Sequence, residues 1–395
     1  MKIILIVPIA YLNPDPDIRN WWGFGGSEVS SFLVAQELSK RGHNVTILSF
    51  DSKVEKSEEV EGIYFKRYPP NRANIWDKNF IFLKRKIFND FDIVHFYGPT
   101  FLRDSYLVKL FNDVKTVVTL NYYNTMCRGE AYNVMKNGKM CNKCNFIDLL
   151  NCSRSISRTL KTKLYRSLSF INDAYIVLSN SSKDIFKMFG FPEKKIYVVP
   201  NLIPRINNLD KIKHDGNTLI YTGRLVEQKG LDLLIAALPK VKNEIKNLKC
   251  YIVGTGPELQ KLKKLVMKFD VSDEVYFAGF VNPKNLKEYY LKSDIFIFPM
   301  RGCAPGGRSL IEAMTYGLPI IASDTVDYDV INGAAVTFKN NDYNDLADKI
   351  IYVLSNKDVR KRLSQAGKEH VKNFYPERVI PRLEKVYEKI IFNNK

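Results

Sequence analysis

The sequence predicts two doubly wound α/β domains in tandem, each with a parallel sheet covered by helices on both faces. Short apolar segments alternate with helical patterns over most of the chain, which is typical of parallel strands joined by crossover helices. Within these segments the residues are almost all apolar and do not alternate with polar ones, as expected of strands buried on both faces. A polar segment at 202–217 (LIPRINNLDKIKHDGN) interrupts this order, and 395 residues exceed the usual size of one core.

In the first half, the predicted strands are 3–9, 44–50, 92–98, 115–121, 173–179 and 195–201. A helix is predicted over 27–41, with Ser27 as its cap, Glu28 in its first turn and Gly42 as its stop signal. The apolar run at the N-terminus is broken by Pro8, which indicates a buried strand rather than a signal peptide.

In the second half, the predicted strands are 217–223, 249–254, 274–280, 294–299 and 319–324. The predicted helices are 231–247, 257–269, 283–291, 309–316 and 377–392. Ligands of doubly wound sheets bind outside the carboxyl ends of the strands. With two such domains facing across a cleft, we expect the site in that cleft.

The composition favours an anionic partner, because 60 Lys and Arg against 42 Asp and Glu give a net charge of +18. The basic residues are scattered and no nucleic-acid-binding motif is present, so we expect no nucleic acid partner. No segment reaches the ~18 apolar residues of a membrane-spanning helix. We therefore expect a cytoplasmic protein, soluble or peripheral on the cytoplasmic membrane face.

Two segments carry the chemistry. Residues 221–230 (YTGRLVEQKG) place Arg224 and Lys229 on a loop between a strand and a helix. A guanidinium binds oxyanions bidentately and an ammonium adds a mobile point charge, which suits a diphosphate. The segment RSLIEAMTYGLPIIASD places Glu312 one turn into a helix that starts beside two glycines. Helix N-termini attract anions and a carboxylate accepts hydrogen bonds from sugar hydroxyls, so we predict a pocket for a nucleotide diphosphate sugar.

The chain resembles the family-4 glycosyltransferases of the GT-B fold over nearly all of its length. The segments that carry the resemblance are GGSEVSSFLVAQELSKRGHNVTIL, DIVHFYGP, VVTLNYY, IVLSNSSKDIF, KKIYVVPN, YTGRLVEQKGLDLLIAAL, IVGTGPELQKLKK, VYFAGFV and GGRSLIEAMTYGLPIIASD. The resemblance implies a retaining, metal-independent hexosyltransferase that uses a nucleotide sugar, with no cofactor for catalysis. Its acceptor would be a glycan, a lipid-linked glycan or a glycoprotein precursor.

The resemblance also implies the domain ranges. An acceptor-side Rossmann-like domain is expected over 1–204, with a cysteine-containing insertion at 122–155. A nucleotide-sugar-binding domain is expected over 205–374, and 375–395 would form a helix that crosses back to the first domain.

Site residues follow from the same resemblance. Arg224 and Lys229 match the positions that hold the donor diphosphate, and Glu312 matches the glutamate that binds the donor ribose; these three are the catalytic candidates. The donor-binding candidates are Gly25, Gly26, Arg224, Lys229, Gly306, Gly307, Arg308, Ser309, Leu310 and Glu312. The first two glycines match the loop that closes on the phosphate, and 306–310 match the loop that cradles the sugar and phosphate.

Two positions depart from the family pattern. Ala304 stands where the family usually carries a glutamate that touches the donor sugar, and Asn121 stands where relatives have a histidine. Asn can hydrogen-bond a hydroxyl but cannot take up a proton at neutral pH. A retaining reaction in which the donor phosphate takes the acceptor proton needs no protein base, so such a reaction is compatible with both departures. The alternatives are a catalytically impaired pseudo-glycosyltransferase that binds nucleotide or glycan as a partner subunit, and a sugar-nucleotide 2-epimerase, which four histidines make less suitable.

His95, near the end of a predicted strand, and Asn121 are the acceptor-side candidates. For His95 the sequence leaves two interpretations, a role near the acceptor or a hydrogen-bonded structural role.

Four cysteines fall within the insertion with the spacing C-x13-C-x2-C-x7-C: Cys127, Cys141, Cys144 and Cys152. Such thiols suit a tetrahedral structural zinc site. Disulfide bridges and unlinked thiols remain alternatives, although bridges are unusual in the cytosol.

Two basic, apolar-rich segments, 78–88 and 153–170, have the composition of amphipathic helices that rest on an anionic membrane surface. Ordinary surface helices with solvated lysines would have the same composition.

Overall fold

The computed structural model describes residues 1–10, 26–69, 85–123, 125–127, 135–136, 139–206, 216–282, 285–303 and 305–392. The strands are β1 (Lys2–Ile6), β2 (Asn44–Ser49), β3 (Lys56–Val60), β4 (Ile63–Arg67), β5 (Ile93–Tyr97), β6 (Lys115–Thr119), β7 (Met135–Lys136), β8 (Lys139–Met140), β9 (Ala174–Val177), β10 (Ile196–Val198), β11 (Thr218–Thr222), β12 (Lys249–Val253), β13 (Val275–Gly279), β14 (Ile295–Phe298), β15 (Ile320–Ser323) and β16 (Ala335–Phe338). The helices are α1 (Gly26–Lys40), α2 (Leu102–Phe111), α3 (Phe146–Ser153), α4 (Ile156–Ser167), α5 (Asn180–Met188), α6 (Leu231–Glu244), α7 (Leu259–Lys268), α8 (Leu286–Leu291), α9 (Arg308–Thr315), α10 (Tyr328–Ile331), α11 (Tyr343–Ser355), α12 (Lys357–His370) and α13 (Pro376–Phe392).

The chain forms two compact units. Unit 1 consists of Met1–Arg128, Asn142–Pro204 and Tyr375–Lys395, and unit 2 consists of Gly129–Cys141 and Arg205–Phe374. The sequence interpretation assigns the whole insertion 122–155 to the first domain, whereas Gly129–Cys141 groups with unit 2. Within the described residues, the hairpin β7–β8 in this segment pairs only with itself and joins neither large sheet. The sequence of this segment therefore gives no indication of the unit with which it groups.

Unit 1 contains, in the described part of the chain, an eight-stranded sheet of order β10-β9-β6-β5-β1-β2-β4-β3. All its strand pairs are parallel except the pair of β3 with β4, which forms an antiparallel hairpin at one edge. The sequence interpretation missed this hairpin. The sequence of β3, KSEEV, is charged and largely exposed, so it lacks the apolar run that marks the central strands.

The final helix, α13, packs on the sheet of unit 1. Val379, Leu383 and Tyr387 belong to the same buried apolar cluster as residues of β1 and α1. On the outer side of this contact, Arg41 Nε and Nη2 each donate to the Glu384 carboxylate at 2.8 Å. Burial of apolar surface at about 25 cal/mol/Å² provides most of the stabilisation, because a partly exposed ion pair contributes only ~1 kcal/mol or less.

Unit 2 contains a six-stranded sheet of order β13-β12-β11-β14-β15-β16 in the described residues, and all its strand pairs are parallel. Helices α6 and α11 cover one face with buried leucines and isoleucines such as Leu234 and Ile350. Because the strands are parallel, the loops after β11, β12 and β14 all leave the same edge of the sheet. The predicted fold class, two Rossmann-like α/β domains, is confirmed.

The helix predicted over 27–41 begins at Gly26, so Ser27 lies inside the first turn instead of capping it. The strand β16 and the helices α10, α11 and α12 were not predicted. Among the described residues, no helix has both the length and the apolar character needed to cross a bilayer.

Candidate functional site

The first part of the candidate site is the loop that follows β11. Tyr221 donates a hydrogen bond to the carbonyl oxygen of Arg224 at 3.0 Å, which turns the chain immediately after the strand. The loop after β12 packs tightly against this turn. A Cβ atom at Gly254 would collide with the carbonyl oxygen of Gly223, and one at Gly256 would collide with that of Leu225. The two glycines of GTGP therefore allow the close approach that fixes the backbone around Arg224.

Lys229 is a half-buried cation whose charge no acidic side chain among the described residues neutralises. Its Nζ lies 5.3 Å from the ring centroid of Phe298 and 3.6 Å from Sδ of Met300, and it makes no ion pair within the described residues. Burial disfavours the ammonium and lowers the pKa of Lys229 to about 8, and the nearby positive charge of Arg224 acts in the same direction. An anion bound at these two cations would reverse both effects.

Arg301 braces the loop that carries Lys229. Its Nη1 and Nη2 donate to the Asp232 carboxylate at 2.7 and 2.6 Å, and its backbone N–H donates to Gln228 O at 2.9 Å. Burial works to raise the pKa of Asp232, but the hydrogen bonds and charge of Arg301 outweigh it and hold that pKa below its ordinary value. The loop after β14 is thus tied to the start of α6 by a bidentate ion pair, and to the loop after β11 by a backbone hydrogen bond.

Glu312 lies in α9 and its carboxylate is held by two side chains. Arg308 Nε is 2.9 Å from Oε1, and the hydroxyl of Tyr290 donates to Oε2 at 3.2 Å. The same hydroxyl lies 2.8 Å from Oγ1 of Thr222, the last residue of β11. Burial raises the pKa of Tyr290 well above its ordinary value, and the Glu312 charge adds to this. Glu312 is therefore linked, through Tyr290, to the strand that ends just before Arg224.

The helix α9 starts after a glycine in the left-handed backbone conformation. Gly307 has φ 31°, which L side chains rarely adopt, and a Cβ atom there would lie 2.7 Å from Leu310 Cδ1, so any other residue would be strained at this position. Leu310 is buried and its N–H donates to the Gly307 carbonyl, so this residue shapes the turn and offers no free amide. The N–H of Ser309 has no partner among the described residues and remains available to an anion.

Some candidates fall outside these contacts. Gly25 and Ala304 lie outside the described residues, and Gly26 is the exposed first residue of α1 in unit 1. The sequence interpretation missed Tyr290, Asp232 and Arg301 as supporting residues, because each acts through a partner far away in the chain.

His95 is buried in unit 1 with both ring nitrogens occupied. Nδ1 lies 2.7 Å from the hydroxyl of Tyr387, and Nε2 lies 2.7 Å from Oγ1 of Thr119. Burial lowers the pKa of His95 to about 3, so the ring is neutral. These contacts fit the structural interpretation of His95.

Asn121 follows β6 in unit 1 and, unlike His95, has a side-chain atom without a hydrogen-bond partner among the described residues. Its Oδ1 is buried and accepts no hydrogen bond within the described residues. A buried amide oxygen without a donor is costly, so it is suited to receive a hydroxyl from a ligand.

The cysteines do not converge on a metal site. None of the six forms a disulfide bridge, and no group of three or more His, Cys, Asp or Glu side chains in the described part of the chain could hold a metal ion. Instead, Arg166 Nη2 lies 3.2 Å from Sγ of Cys144. The thiol chemistry suits zinc, but the arrangement of the described side chains does not.

Comparison with known proteins identifies the family. A family model described as "Glycosyltransferase Family 4" matches residues 24–205, and one described as "Glycosyl transferases group 1" matches residues 204–370. The chain is 31% identical over 221 residues to an uncharacterized glycosyltransferase of Methanocaldococcus jannaschii, covering 51% of this chain and 55% of that protein. It is 30% identical over 166 residues to the GDP-mannose-dependent alpha-(1-6)-phosphatidylinositol monomannoside mannosyltransferase of Mycobacterium tuberculosis, covering 39% and 42%. The matched region thus spans about half the length of these relatives.

Other similarities extend over the whole chain. The N-acetyl-alpha-D-glucosaminyl L-malate synthase of Bacillus anthracis is 22% identical over 391 residues, covering 94% of this chain and 96% of that protein. Among solved structures, sucrose-phosphate synthase from Thermosynechococcus elongatus has a TM-score of 0.78 at 18% identity, covering 100% of both chains. HepE from Anabaena, in complex with UDP and glucose, has a TM-score of 0.73 at 14% identity, covering 98% and 100%. These structures show the GT-B fold. With consecutive family models over residues 24–370, the chain belongs to glycosyltransferase family 4.

Proposed function

We propose that this protein transfers a hexose from a nucleotide diphosphate sugar to a glycan, lipid-linked or glycoprotein-precursor acceptor, with retention and without a metal ion. The observation that carries the proposal is the pair Arg224 and Lys229, two neighbouring cations that no carboxylate neutralises in the described residues. A half-buried ammonium without an anionic partner is unfavourable. The presence of Lys229 at this position is best explained by a ligand that supplies the anion.

The donor diphosphate fits these cations. The Arg224 guanidinium can bind two phosphate oxygens, and Lys229 regains a full positive charge when an anion offsets its burial. The free N–H of Ser309 at the start of α9 adds a further donor. Stabilising the charge that develops on the departing diphosphate is the largest catalytic contribution expected here.

Glu312 holds the ribose in this proposal. Its carboxylate accepts hydrogen bonds from ribose hydroxyls while Arg308 and Tyr290 fix its orientation. Such fixed partners limit the motion of the nucleotide, so that the diphosphate is positioned against Arg224 and Lys229.

The reaction itself breaks the bond between the sugar anomeric carbon and the diphosphate oxygen, and forms a bond from that carbon to the acceptor oxygen on the same face. The proton of the acceptor hydroxyl passes to the departing phosphate oxygen. Asn121 accepts a hydrogen bond from an acceptor hydroxyl and takes up no proton, which agrees with a reaction that needs no protein base.

Similar proteins support the choice of ligand class. The Anabaena protein was solved with UDP-glucose, and the mycobacterial relative is named for GDP-mannose and a phosphatidylinositol mannoside. We propose a nucleotide sugar as donor and place the protein in the cytoplasm, where such donors are made.

A donor screen tests the proposal. UDP-glucose, UDP-N-acetylglucosamine and GDP-mannose are added singly to the purified chain, and the melting temperature is measured with and without a chelator. A ligand of the native state raises the melting temperature, and we expect one donor to do so in a chelator-independent manner. Hydrolysis of that donor, or transfer of its sugar to an acceptor, would complete the assignment of the protein as a glycosyltransferase. Binding without any hydrolysis or transfer would support the pseudo-glycosyltransferase alternative, and no binding at all would contradict both.

A further inference from the structure

The helix α4 in unit 1 has its polar side buried and its apolar side exposed. Thr159 and Thr162 are its buried residues, whereas Ile156, Leu160 and Leu164 are 67%, 53% and 54% exposed. A surface helix normally turns its apolar stripe toward the core. Residues four apart lie on one face of a helix, so the three exposed residues form one continuous stripe.

The stripe continues onto the preceding helix. Phe146 and Ile147 of α3 are 41% and 66% exposed. Lys163 Nζ of α4 lies 5.1 Å from the ring centroid of Phe146, so the exposed residues of the two helices adjoin. We refer to Phe146, Ile147, Ile156, Leu160 and Leu164 as the apolar face.

Lysines flank the part of the apolar face that α4 contributes. The segment 153–170 contains five Lys and Arg and no Asp or Glu. With 3.6 residues per turn, Lys163 lies on one side of the stripe and Lys161 on the other. Both are exposed and neither makes an ion pair among the described residues.

A pocket of about 240 Å³ opens beside the apolar face. Its lining includes Phe146 of the apolar face and the flanking Lys163, together with Arg166 and Ser167. The recess therefore places cations and a hydroxyl next to exposed apolar side chains.

We propose that the apolar face docks on an anionic lipid bilayer. The apolar side chains enter the boundary between headgroups and acyl chains, and Lys161 and Lys163 contact anionic headgroups. Charge decides between this occupant and a second copy of the chain. A symmetric dimer through this face would bring the two sets of unpaired lysines together, whereas an anionic membrane neutralises them.

Vesicle co-sedimentation tests the docking surface. The purified full chain is mixed with vesicles of phosphatidylcholine alone, or of phosphatidylcholine with phosphatidylglycerol, at low and high salt. We expect sedimentation only with the anionic vesicles and its weakening at high salt. No donor or acceptor is present, so the result does not depend on the proposed transfer activity.

Paired variants separate the apolar and the charged contributions. Leu160→Gln with Leu164→Gln should lower the apparent affinity at least about tenfold, because both side chains would leave the lipid boundary. Lys161→Gln with Lys163→Gln should lower it roughly fivefold per lysine. The matched controls are Leu110→Gln with Phe111→Gln, an exposed apolar pair on α2, and Lys263→Gln with Lys264→Gln on α7.

The control variants should bind vesicles like the wild type. The test and control variants should all keep the wild-type melting temperature. Failure of the wild type to sediment with anionic vesicles would overturn the proposal, as would equal losses in the test and control variants. A wild type that runs as a dimer in gel filtration, and as a monomer after the leucine substitutions, would assign the face to self-association instead.

Discussion

Tyr290 and Glu312 are joined by a hydrogen bond of 3.2 Å between the Tyr hydroxyl and Oε2 of the carboxylate. The Tyr hydroxyl also lies 2.8 Å from Thr222 Oγ1, so one phenol connects the end of β11 with α9. The arrangement makes Tyr290 a positioning residue for the proposed ribose site.

Tyr290→Phe should weaken donor binding while the fold is kept. The ring of Tyr290 is stacked on Tyr316 at 4.7 Å between centroids, and Phe can preserve this stacking. Loss of the hydroxyl removes one hydrogen bond to a charged group, about 1.5–3 kcal/mol, so KM for the donor should rise about tenfold or more with a smaller change in kcat. Tyr316→Phe is the control. Unchanged KM in Tyr290→Phe would show that Glu312 needs no such support.

Lys229→Met should abolish most activity without loss of stability. The substitution removes a partly buried charge and places an apolar chain beside Phe298 and Met300, so the melting temperature of the ligand-free protein should stay the same or increase. Loss of a charge that stabilises the transition state should lower kcat/KM about 10²–10³-fold. Lys263→Met, an exposed position on α7, is the control. A large fall in the melting temperature would indicate a structural role for Lys229.

The pH dependence follows from the pKa of Lys229, which is lowered from 10.5 to about 8. Between these values the unfolded chain keeps a proton that the folded protein has lost, so the free energy of unfolding should rise with pH in this window. Affinity for a nucleoside diphosphate should change in the opposite direction, falling as the pH rises through about 8. Denaturant titrations and calorimetry on wild type and Lys229→Met would measure both trends. Equal pH profiles in the two proteins would contradict the assignment.

Arg301→Lys should reduce donor affinity although it keeps the positive charge. An ammonium cannot reproduce the two parallel hydrogen bonds to Asp232, so the loop with Lys229 loses its brace. We expect a higher KM and a melting temperature lower by several degrees, with a similar effect in Asp232→Asn. The double variant should cost less than the sum of the two single variants, since both remove one interaction. Additive losses would show that the ion pair has no such role.

Thiol titration should distinguish cysteines that hold neither a disulfide bridge nor a metal from a zinc site. Burial raises the pKa of Cys250 to about 12, so this thiol should resist alkylation in the native protein near neutral pH. After unfolding, all six thiols should react and the purified protein should contain no stoichiometric zinc. About one zinc per chain, together with protection of Cys127, Cys141, Cys144 and Cys152, would restore the zinc interpretation.

The sequence predicted the central strands because burial on both faces requires continuous apolar runs, and the positions of β1, β5 and β11 follow directly from such runs. It could not predict β3, whose charged residues form a strand only because β4 pairs with it. Edge pairing is decided by tertiary contacts and leaves a weak local pattern.

The candidate site shows the same division. Arg224, Lys229 and Glu312 carry local chemistry that can be read in short segments. The partners of Glu312 and Asp232 cannot be read in this way, because Tyr290 is 22 residues from Glu312 and Arg301 is 69 residues from Asp232. The hydrogen bond between His95 and Tyr387 joins residues 292 positions apart, so only the folded structure could reveal the structural role of His95.

The position of α13 has a consequence for biosynthesis. Residues that complete the core of unit 1, such as Val379 and Tyr387, are translated after nearly all of unit 2. While the ribosome is still adding them, the nascent first unit exposes the surface that they will cover. We therefore expect the order of co-translational folding to be reversed with respect to the chain, with the second unit finishing before the first.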